Sequence, residues 1–194
     1  TDTDTDTDTD TDTDTDTDTD TDTDTDTNSS DCDSNSFSGT VGGVASDFST
    51  FAWAMVSEQQ GQESLMVLGF ESGSACDIID DHVNEIEFVD EMAILQVTMQ
   101  GDLNGASWDV VAPNTQGSAA TWASIGFMEE EFSPPEDATS GSGTTTVPPD
   151  KATESDLGLT GITASFQNGS MSGDITACYC ENTARYWEVQ PPED

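Results

Sequence analysis

The side chains that could perform chemistry in this sequence are one histidine, four cysteines and a large excess of carboxylates. A Ser-His-Asp arrangement would have to use His82, and no Gly-x-Ser-x-Gly elbow is present to hold a nucleophile. We predict instead that His82 is a surface residue, because acids precede it. Paired carboxylates could hydrolyse glycosides, but acids are so abundant that no particular pair is favoured. The sequence therefore predicts a protein that is not an enzyme.

The four cysteines, an even number, are typical of a protein from an oxidising compartment. Cys178 and Cys180 flank Tyr179 and are too close in sequence to bond comfortably to each other. Cys32 and Cys76 would therefore each bond to one of them, in a pairing that is left open. Each bridge would close a loop of about 100 residues or more and contribute about 4–5 kcal/mol in the chain-entropy model. A zinc site is the alternative, but Cys-x-Cys lacks the usual spacing, so disulfides are predicted.

Calcium is the metal that the acidic clusters could bind, and only weakly. The spacing Asp31-x-Asp33-x-Asn35 is similar to the start of a calcium loop, but Ser36 stands where an EF-hand has its turn glycine. A second cluster lies in the predicted helix. The weak candidate ligands are Asp31, Asp33, Asp77, Asp80 and Asp81. No other cofactor is predicted.

The first 27 residues alternate threonine and aspartate without interruption. In an extended chain all the aspartates would lie on one side, about 6.6 Å apart and within the ~8 Å Debye length, and would repel one another. We predict that residues 1–30 form an expanded stalk or tail. The alternatives are a calcium-collecting strip, a strand that orders only inside an assembly, and a stalk O-glycosylated on threonine. The candidate glycosylation sites are Thr1, Thr3, Thr5, Thr7, Thr9, Thr11, Thr13, Thr15, Thr17, Thr19, Thr21, Thr23, Thr25 and Thr27.

The net charge of −39 excludes several classes of partner. The repeat holds 13 of the 41 acids, and the body keeps 28 against Lys151 and Arg185. Nucleic acids and anionic membrane surfaces would be repelled. No apolar run approaches the ~18 residues of a membrane span, so direct insertion in a membrane is not predicted either. Calcium and neutral polymers such as glycans remain as partners.

The body, residues 31–190, is predicted to be one domain of short strands. Bulky and small residues alternate at residues 51–55, and Asn168-Gly169 is a strong hairpin turn. Residues 75–83 form the one predicted helix, and residues 129–154, rich in Pro, Gly and Ser, are predicted to form a long exposed loop. The pattern predicts an all-β fold, an antiparallel β-sandwich or closed barrel of about eight short strands with at most one short helix.

The predicted helix has its own start signals. Ser74 could cap it and Asp77 favours its first turn, while Cys76 would attach it to the body. Aromatic residues follow the last cysteines. Tyr186 and Trp187, like Tyr179, could stack on sugars where they are exposed, although such residues more often close the end of a core.

A Thr-Asp spacer that leads into a small cysteine-bridged body resembles the layout of exported bacterial lipoproteins and surface proteins. The resemblance covers the layout alone, carries no functional residues, and implies an extracellular or cell-surface location. Our first hypothesis is a non-enzymatic structural protein, a self-assembling subunit of a bacterial surface filament or layer. The alternative is a surface-tethered module that binds a glycan or a calcium-dependent ligand at the end of its stalk.

Overall fold

The computed structural model describes residues 35–59, 62–85, 92–104, 107–113, 121–130, 133–150 and 153–189. The predictions on the repeat, on its threonines and on Asp31, Cys32 and Asp33 lie outside these residues. Within them, eleven strands belong to one sheet. The strands are β1 (Ser36–Val41), β2 (Val44–Phe48), β3 (Thr50–Gln59), β4 (Gln62–Phe70), β5 (Ile94–Gly101), β6 (Ser107–Val110), β7 (Thr121–Met128), β8 (Glu136–Asp137), β9 (Ser140–Val147), β10 (Leu157–Phe166) and β11 (Gly169–Tyr179).

Eight of these strands close into a barrel. Their order around the ring is β10-β9-β6-β7-β5-β4-β3-β11, and β11 pairs again with β10. The β1–β2 hairpin extends from β11, and β8 adds to β7. The mostly-β closed barrel agrees with the prediction. Two pairings in the ring, β6–β7 and β3–β11, are parallel rather than antiparallel. The alternation of side chains along a strand does not depend on the direction of its neighbour, so it could not predict them.

Alternate residues of the ring strands fill the barrel interior. An eight-stranded barrel encloses a space that side chains alone can fill. The largest side chains there are those of Trp53 and Trp108, each at most 1% exposed. Phe48 of the β1–β2 hairpin packs edge-on against Phe127 of β7, with ring centroids 6.3 Å apart. The interior is therefore a packed core and not a channel.

Two of the inward-facing rings lie over glycines of the neighbouring strand. Phe51 stands directly opposite Gly69, and Trp108 directly opposite Gly143. A methyl group on either glycine would overlap the facing ring. Gly143 belongs to β9, which lies inside the segment that we predicted as an exposed loop. The difference has a physical cause, because a strand that accommodates a large ring needs glycine, and glycine next to serine is also typical of loops.

Alanine at position 143 should therefore destabilise the barrel, whereas alanine at position 126 should not. We expect Gly143→Ala to lower the free energy of unfolding by about 1–3 kcal/mol, the usual cost of overpacking a core. At Gly126, on the outer face of β7, the nearest atom to an added methyl is an Asp137 carboxylate oxygen at 3.4 Å, an ordinary contact. Urea unfolding of both variants tests this, and equal losses of stability would contradict the packing of Trp108 on Gly143.

A layer of three short helical segments covers the outer face of β3 and β4. It consists of helix α1 (Ala75–Asp80), a π-helical turn (Asp81–Glu85) and a C-terminal 3-10 helix (Glu181–Glu188). We call these segments the helical layer. It forms a second apolar cluster, separate from the barrel interior, with Ile79, Phe70 and Tyr186 fully buried. In the described part of the chain no helix is long and apolar enough to cross a membrane.

The start of α1 agrees with the sequence signals. The Ser74 hydroxyl accepts a hydrogen bond from the Asp77 amide, and Cys76 forms a disulfide with Cys180 at the start of the C-terminal 3-10 helix. The predicted bond from Cys76 to the C-terminal pair is thus confirmed, with Cys180 as its partner. Cys178 is disulfide-bonded as well, and no described cysteine is free. Neither the 3-10 helix nor its packing was predictable from the short aromatic segment alone.

Candidate binding groove

A groove of about 410 Å³ runs along the outer face of β5 and β7. Its size falls in the range of small-molecule sites, about 300–1,000 Å³. The side chains that point outward from these strands form its floor, and prolines, a carboxyl group and an indole form its walls. The lining residues are Gln96, Thr98, Pro113, Ser124, Gly126, Met128, Ser133, Pro135, Asp137 and Trp187.

The middle of the floor is polar because Gln96, Thr98 and Ser124 occupy outward positions of two paired strands, whereas Met128 at the end of β7 is apolar. Gln96 stands opposite Gly126, and Thr98 opposite Ser124, in the antiparallel register of β5 and β7. The Gln96 amide donates a hydrogen bond of 3.1 Å to the Thr98 hydroxyl, which orients both groups. Gly126 has no side chain, and a methyl group added there would lie in ordinary contact with an Asp137 carboxylate oxygen at 3.4 Å. The floor thus offers amide and hydroxyl groups that both donate and accept hydrogen bonds.

Asp137 of β8 is the one ionisable residue among the described residues that line the groove. Partial burial raises the pKa of its carboxyl above the ordinary 3.8, because the charged form loses solvation. The strand pairing of Asp137 with Gly126 holds the carboxyl at the wall of the groove. A partly desolvated acceptor at a concave site is a feature typical of functional positions.

Replacing Asp137 by asparagine should raise stability slightly near neutral pH. In the native state the raised pKa means that ionisation is penalised, whereas the unfolded carboxyl ionises freely above about pH 3.9. The penalty is absent below that pH, where both states carry the neutral acid, and complete above the raised native pKa. Thermal melts of both proteins between about pH 3 and pH 7 should therefore converge at the acidic end. A variant less stable than the native protein at about pH 7 would contradict this.

Trp187 is the one aromatic residue among the described residues that line the groove. It belongs to the C-terminal 3-10 helix and is half-buried, with its ring edge-on to Tyr186 at a centroid distance of 4.8 Å. Its indole N–H is enclosed, with no hydrogen-bond partner among the described residues. Trp187, which we predicted could stack on a sugar, therefore lies at the groove, whereas the stacking itself stays a prediction. Tyr186 is fully buried and Tyr179 is half-buried, packed edge-on against Trp53.

The prediction that His82 lies on the surface is wrong. The side chain is fully buried, its ring stacks on that of Tyr186 at a centroid distance of 4.1 Å, and its Nε2 donates to the Tyr186 carbonyl oxygen at 3.0 Å. The physical reason is helical spacing, because Ile79, His82 and Val83 fall on one face and that face is buried. The neighbouring acids point the other way. His82 is therefore a structural residue of the helical layer and does not line the groove.

The three candidate calcium ligands inside the described chain lie on the exposed side of the helical layer. Asp77, Asp80 and Asp81 are all exposed, and the Asp80 carboxylate accepts a hydrogen bond of 2.9 Å from the Asn182 amide. Within the described ranges, no three His, Cys, Asp or Glu side chains come together in a group that could hold a metal ion. A second cavity of about 340 Å³ lies beside the disulfide, with Asp80, Glu154 and Glu181 around it.

A scan of protein-family models, a search of curated proteins and a search of solved structures each find no match to this chain.

Proposed function

We propose that this chain is a non-catalytic, exported binding module that holds a neutral saccharide in the groove of β5 and β7. The observation that carries the proposal is the pairing of an indole wall, Trp187, with a floor of amide and hydroxyl groups, Gln96, Thr98 and Ser124. A sugar ring has an apolar C–H face and a rim of hydroxyls. Its two surfaces match this combination, as aromatic rings cover the apolar face and the polar groups exchange hydrogen bonds with the rim.

Charge narrows the ligand class. A chain with a net charge of −39 repels anions, so acidic, sulfated or phosphorylated sugars are disfavoured. The described lining residues include one carboxyl, Asp137, and no basic side chain, so binding would depend on hydrogen bonds and ring contact. Asp137 has no second carboxyl and no histidine beside it among the described lining residues. A single carboxyl can accept hydrogen bonds from sugar hydroxyls, whereas glycoside hydrolysis needs a pair of carboxyl groups. The disulfide is in keeping with the proposed location outside the cell.

Calorimetric titration tests the proposal. The probes are the methyl glycosides of glucose, galactose, mannose and N-acetylglucosamine, with glucuronic acid as the anionic comparison. We expect at least one neutral probe to bind with a dissociation constant near 1 mM, about −4 kcal/mol, and the anion to bind more weakly. The matched control is Gly126→Val, which adds bulk to the floor at a position where a Cβ makes ordinary contacts with Asp137 at 3.4 Å and Pro135 at 3.6 Å. Failure of every neutral probe, or equal binding to Gly126→Val, would overturn the proposal.

Self-assembly into a surface filament or layer is the second candidate, and one observation favours it. Outward-facing hydroxyls of β9, β10, β11 and β1 stand side by side in two rows. The first row is Ser140, Ser165, Ser170 and Thr40, and the second is Ser142, Thr163, Ser172 and Ser38. We call these eight residues the hydroxyl face. Two copies of so acidic a chain repel each other. Hydroxyls, however, both donate and accept hydrogen bonds, so the hydroxyl face of one copy could pair with the same face of another.

Sedimentation velocity tests the second candidate. We expect the native full-length chain to associate as concentration and salt rise, because salt screens the repulsion between copies. Ser172→Glu, in the hydroxyl face, should prevent association, whereas Thr153→Glu, an exposed change of the same charge outside that face, should not. Removal of residues 1–27 should alter the association if the repeat lies along neighbouring subunits. A native chain that stays monomeric under all these conditions would contradict assembly.

A further inference from the structure

We propose that the Cys76–Cys180 disulfide positions Trp187, so that saccharide binding in the groove is coupled to the oxidised bridge. The inference rests on the proposed function for its ligand and on the geometry of the helical layer for its mechanism. Cys76 lies in α1 and Trp187 in the C-terminal 3-10 helix, and the disulfide joins the first segment to the start of the second.

The C-terminal 3-10 helix begins at the bridge and carries the indole wall. Cys180 precedes its first residue, and Trp187 is the seventh. At about 2.0 Å per residue, the bridge and the indole are about 14 Å apart along the helix. Among the described residues of the helical layer, Trp187 alone lines the groove. Displacement of this helix would therefore change one wall of the groove and leave the floor on β5 and β7 in place.

Beyond the apolar packing of the helical layer, the described residues join the C-terminal helix to α1 and the π-helical turn at three places. The first is the bridge itself. The second is the hydrogen bond of 2.9 Å from Asn182 to Asp80, which lies on the surface. The third is His82, which stacks on Tyr186 and donates to its carbonyl oxygen, one residue before Trp187. Because the bridge is the only covalent contact among these, its loss would leave Tyr186 and Trp187 held by non-covalent contacts alone, namely the stack, the hydrogen bonds and the apolar packing of Tyr186 against Phe70.

The barrel interior is separate from this arrangement. Its apolar cluster contains no residue of the helical layer, and both cysteines of the bridge belong to the outer cluster. The Cys180 amide also donates to the Trp53 carbonyl oxygen at 2.9 Å, so the start of the C-terminal helix keeps one attachment to β3 without the bridge. Reduction should therefore loosen the helical layer while the barrel stays folded.

Coupling of this kind is reciprocal. If the oxidised bridge raises saccharide affinity, bound saccharide must favour the oxidised bridge by the same factor. We expect a factor of about five, within the usual range for coupled sites. At 29.6 mV per tenfold for a two-electron couple, this corresponds to a reduction potential lower by about 20 mV at saturating saccharide.

The experiment uses the full chain with Cys32→Ala and Cys178→Ala, so that Cys76 and Cys180 are the only cysteines left. The affinity for the methyl glycoside that binds the native protein is measured with the bridge oxidised and reduced, and the reduction potential is measured with and without that glycoside. Circular dichroism of the reduced form shows whether the barrel remains folded. We expect weaker binding on reduction and the corresponding shift in potential.

Equal affinity in the two redox states, with the barrel folded, would overturn the coupling. If no glycoside binds the native protein, the proposed function fails, and the positioning is then tested without ligand. Of the four indole N–H signals in a ¹H–¹⁵N spectrum, the Trp187 signal is identified by its absence in Trp187→Phe. We expect this signal, and not those of Trp53 or Trp108, to shift on reduction. An unmoved Trp187 signal would overturn the positioning. If reduction unfolds the barrel, the claim that the two clusters are independent is wrong and the inference falls with it.

Discussion

Alanine at position 187 should weaken saccharide binding by about tenfold or more, which corresponds to about 1.4 kcal/mol. The substitution removes the ring that covers the apolar face of the sugar, and aromatic contacts contribute about 0.5–1.5 kcal/mol beyond the area that they bury. The hydrogen-bonding floor of Gln96, Thr98 and Ser124 stays in place, so residual binding is expected. Titration with the methyl glycoside that binds the native protein measures the change.

Trp122 supplies the matched control for Trp187. It also points outward from β7 and is half-buried, but it does not line the groove. Trp122→Ala should leave saccharide affinity within about a factor of two, well below the tenfold that 1.4 kcal/mol represents. If both alanine variants lose affinity equally, the loss reflects general destabilisation, and the groove is not the site.

Removal of the Cys76–Cys180 bridge should cause the largest loss of stability of any change considered. The bridge joins residues 104 apart in sequence. In the chain-entropy model a loop of about that length contributes about 4–5 kcal/mol by restricting the unfolded chain. Because domains of ordinary size are stable by about 5–15 kcal/mol, Cys76→Ala/Cys180→Ala should lower the urea midpoint strongly.

A matched comparison separates the bridge from the packing of its cysteines. Cys76→Ala alone and the double variant both lose the bridge, so their unfolding free energies should agree within about 1 kcal/mol, because alanine replaces a nearly buried thiol in each case. A loss below about 2 kcal/mol, the low end of typical disulfide contributions, would contradict the entropic argument.

The strand-rich fold was predictable from side-chain alternation and turn residues. The hairpin predicted from Asn168-Gly169 joins β10 to β11, although its two turn residues are Gln167 and Asn168, and Gly169 already pairs with Phe166. The parallel pairings and the closure of the ring depend on contacts between distant segments. Such contacts leave no local pattern, so the sequence was compatible with both a sandwich and a barrel and did not distinguish them.

The loop predicted at residues 129–154 and the surface position predicted for His82 fail for related reasons. Both rested on local composition. In β9 the small residues exist because Trp108 needs Gly143 beneath it, a requirement set by another strand. At His82 the flanking acids suggested exposure, whereas the apolar residues Ile79 and Val83 share its buried face. Helical periodicity around residue 82 could have given the correct result.

The groove was only partly predictable. Trp187 stood out as an aromatic near the end of the chain, and its ring does reach a concave surface. Gln96, Thr98 and Ser124 are ordinary outward residues of two strands, and only the register of β5 with β7 makes them neighbours. Asp137 is one of 41 acids, and its identity depends on the pairing of β8 with β7.

The central claim, that a neutral saccharide occupies this groove, is tested most directly by ¹H–¹⁵N spectra during titration with the methyl glycosides. The Gln96 side-chain amide and the Trp187 indole N–H report the floor and the wall separately. Both signals should shift and saturate together with one neutral glycoside, at concentrations around the ~1 mM dissociation constant expected, and neither should shift in Gly126→Val. Signals of both groups that stay fixed with every glycoside, or shifts confined to another part of the barrel, would contradict the claim.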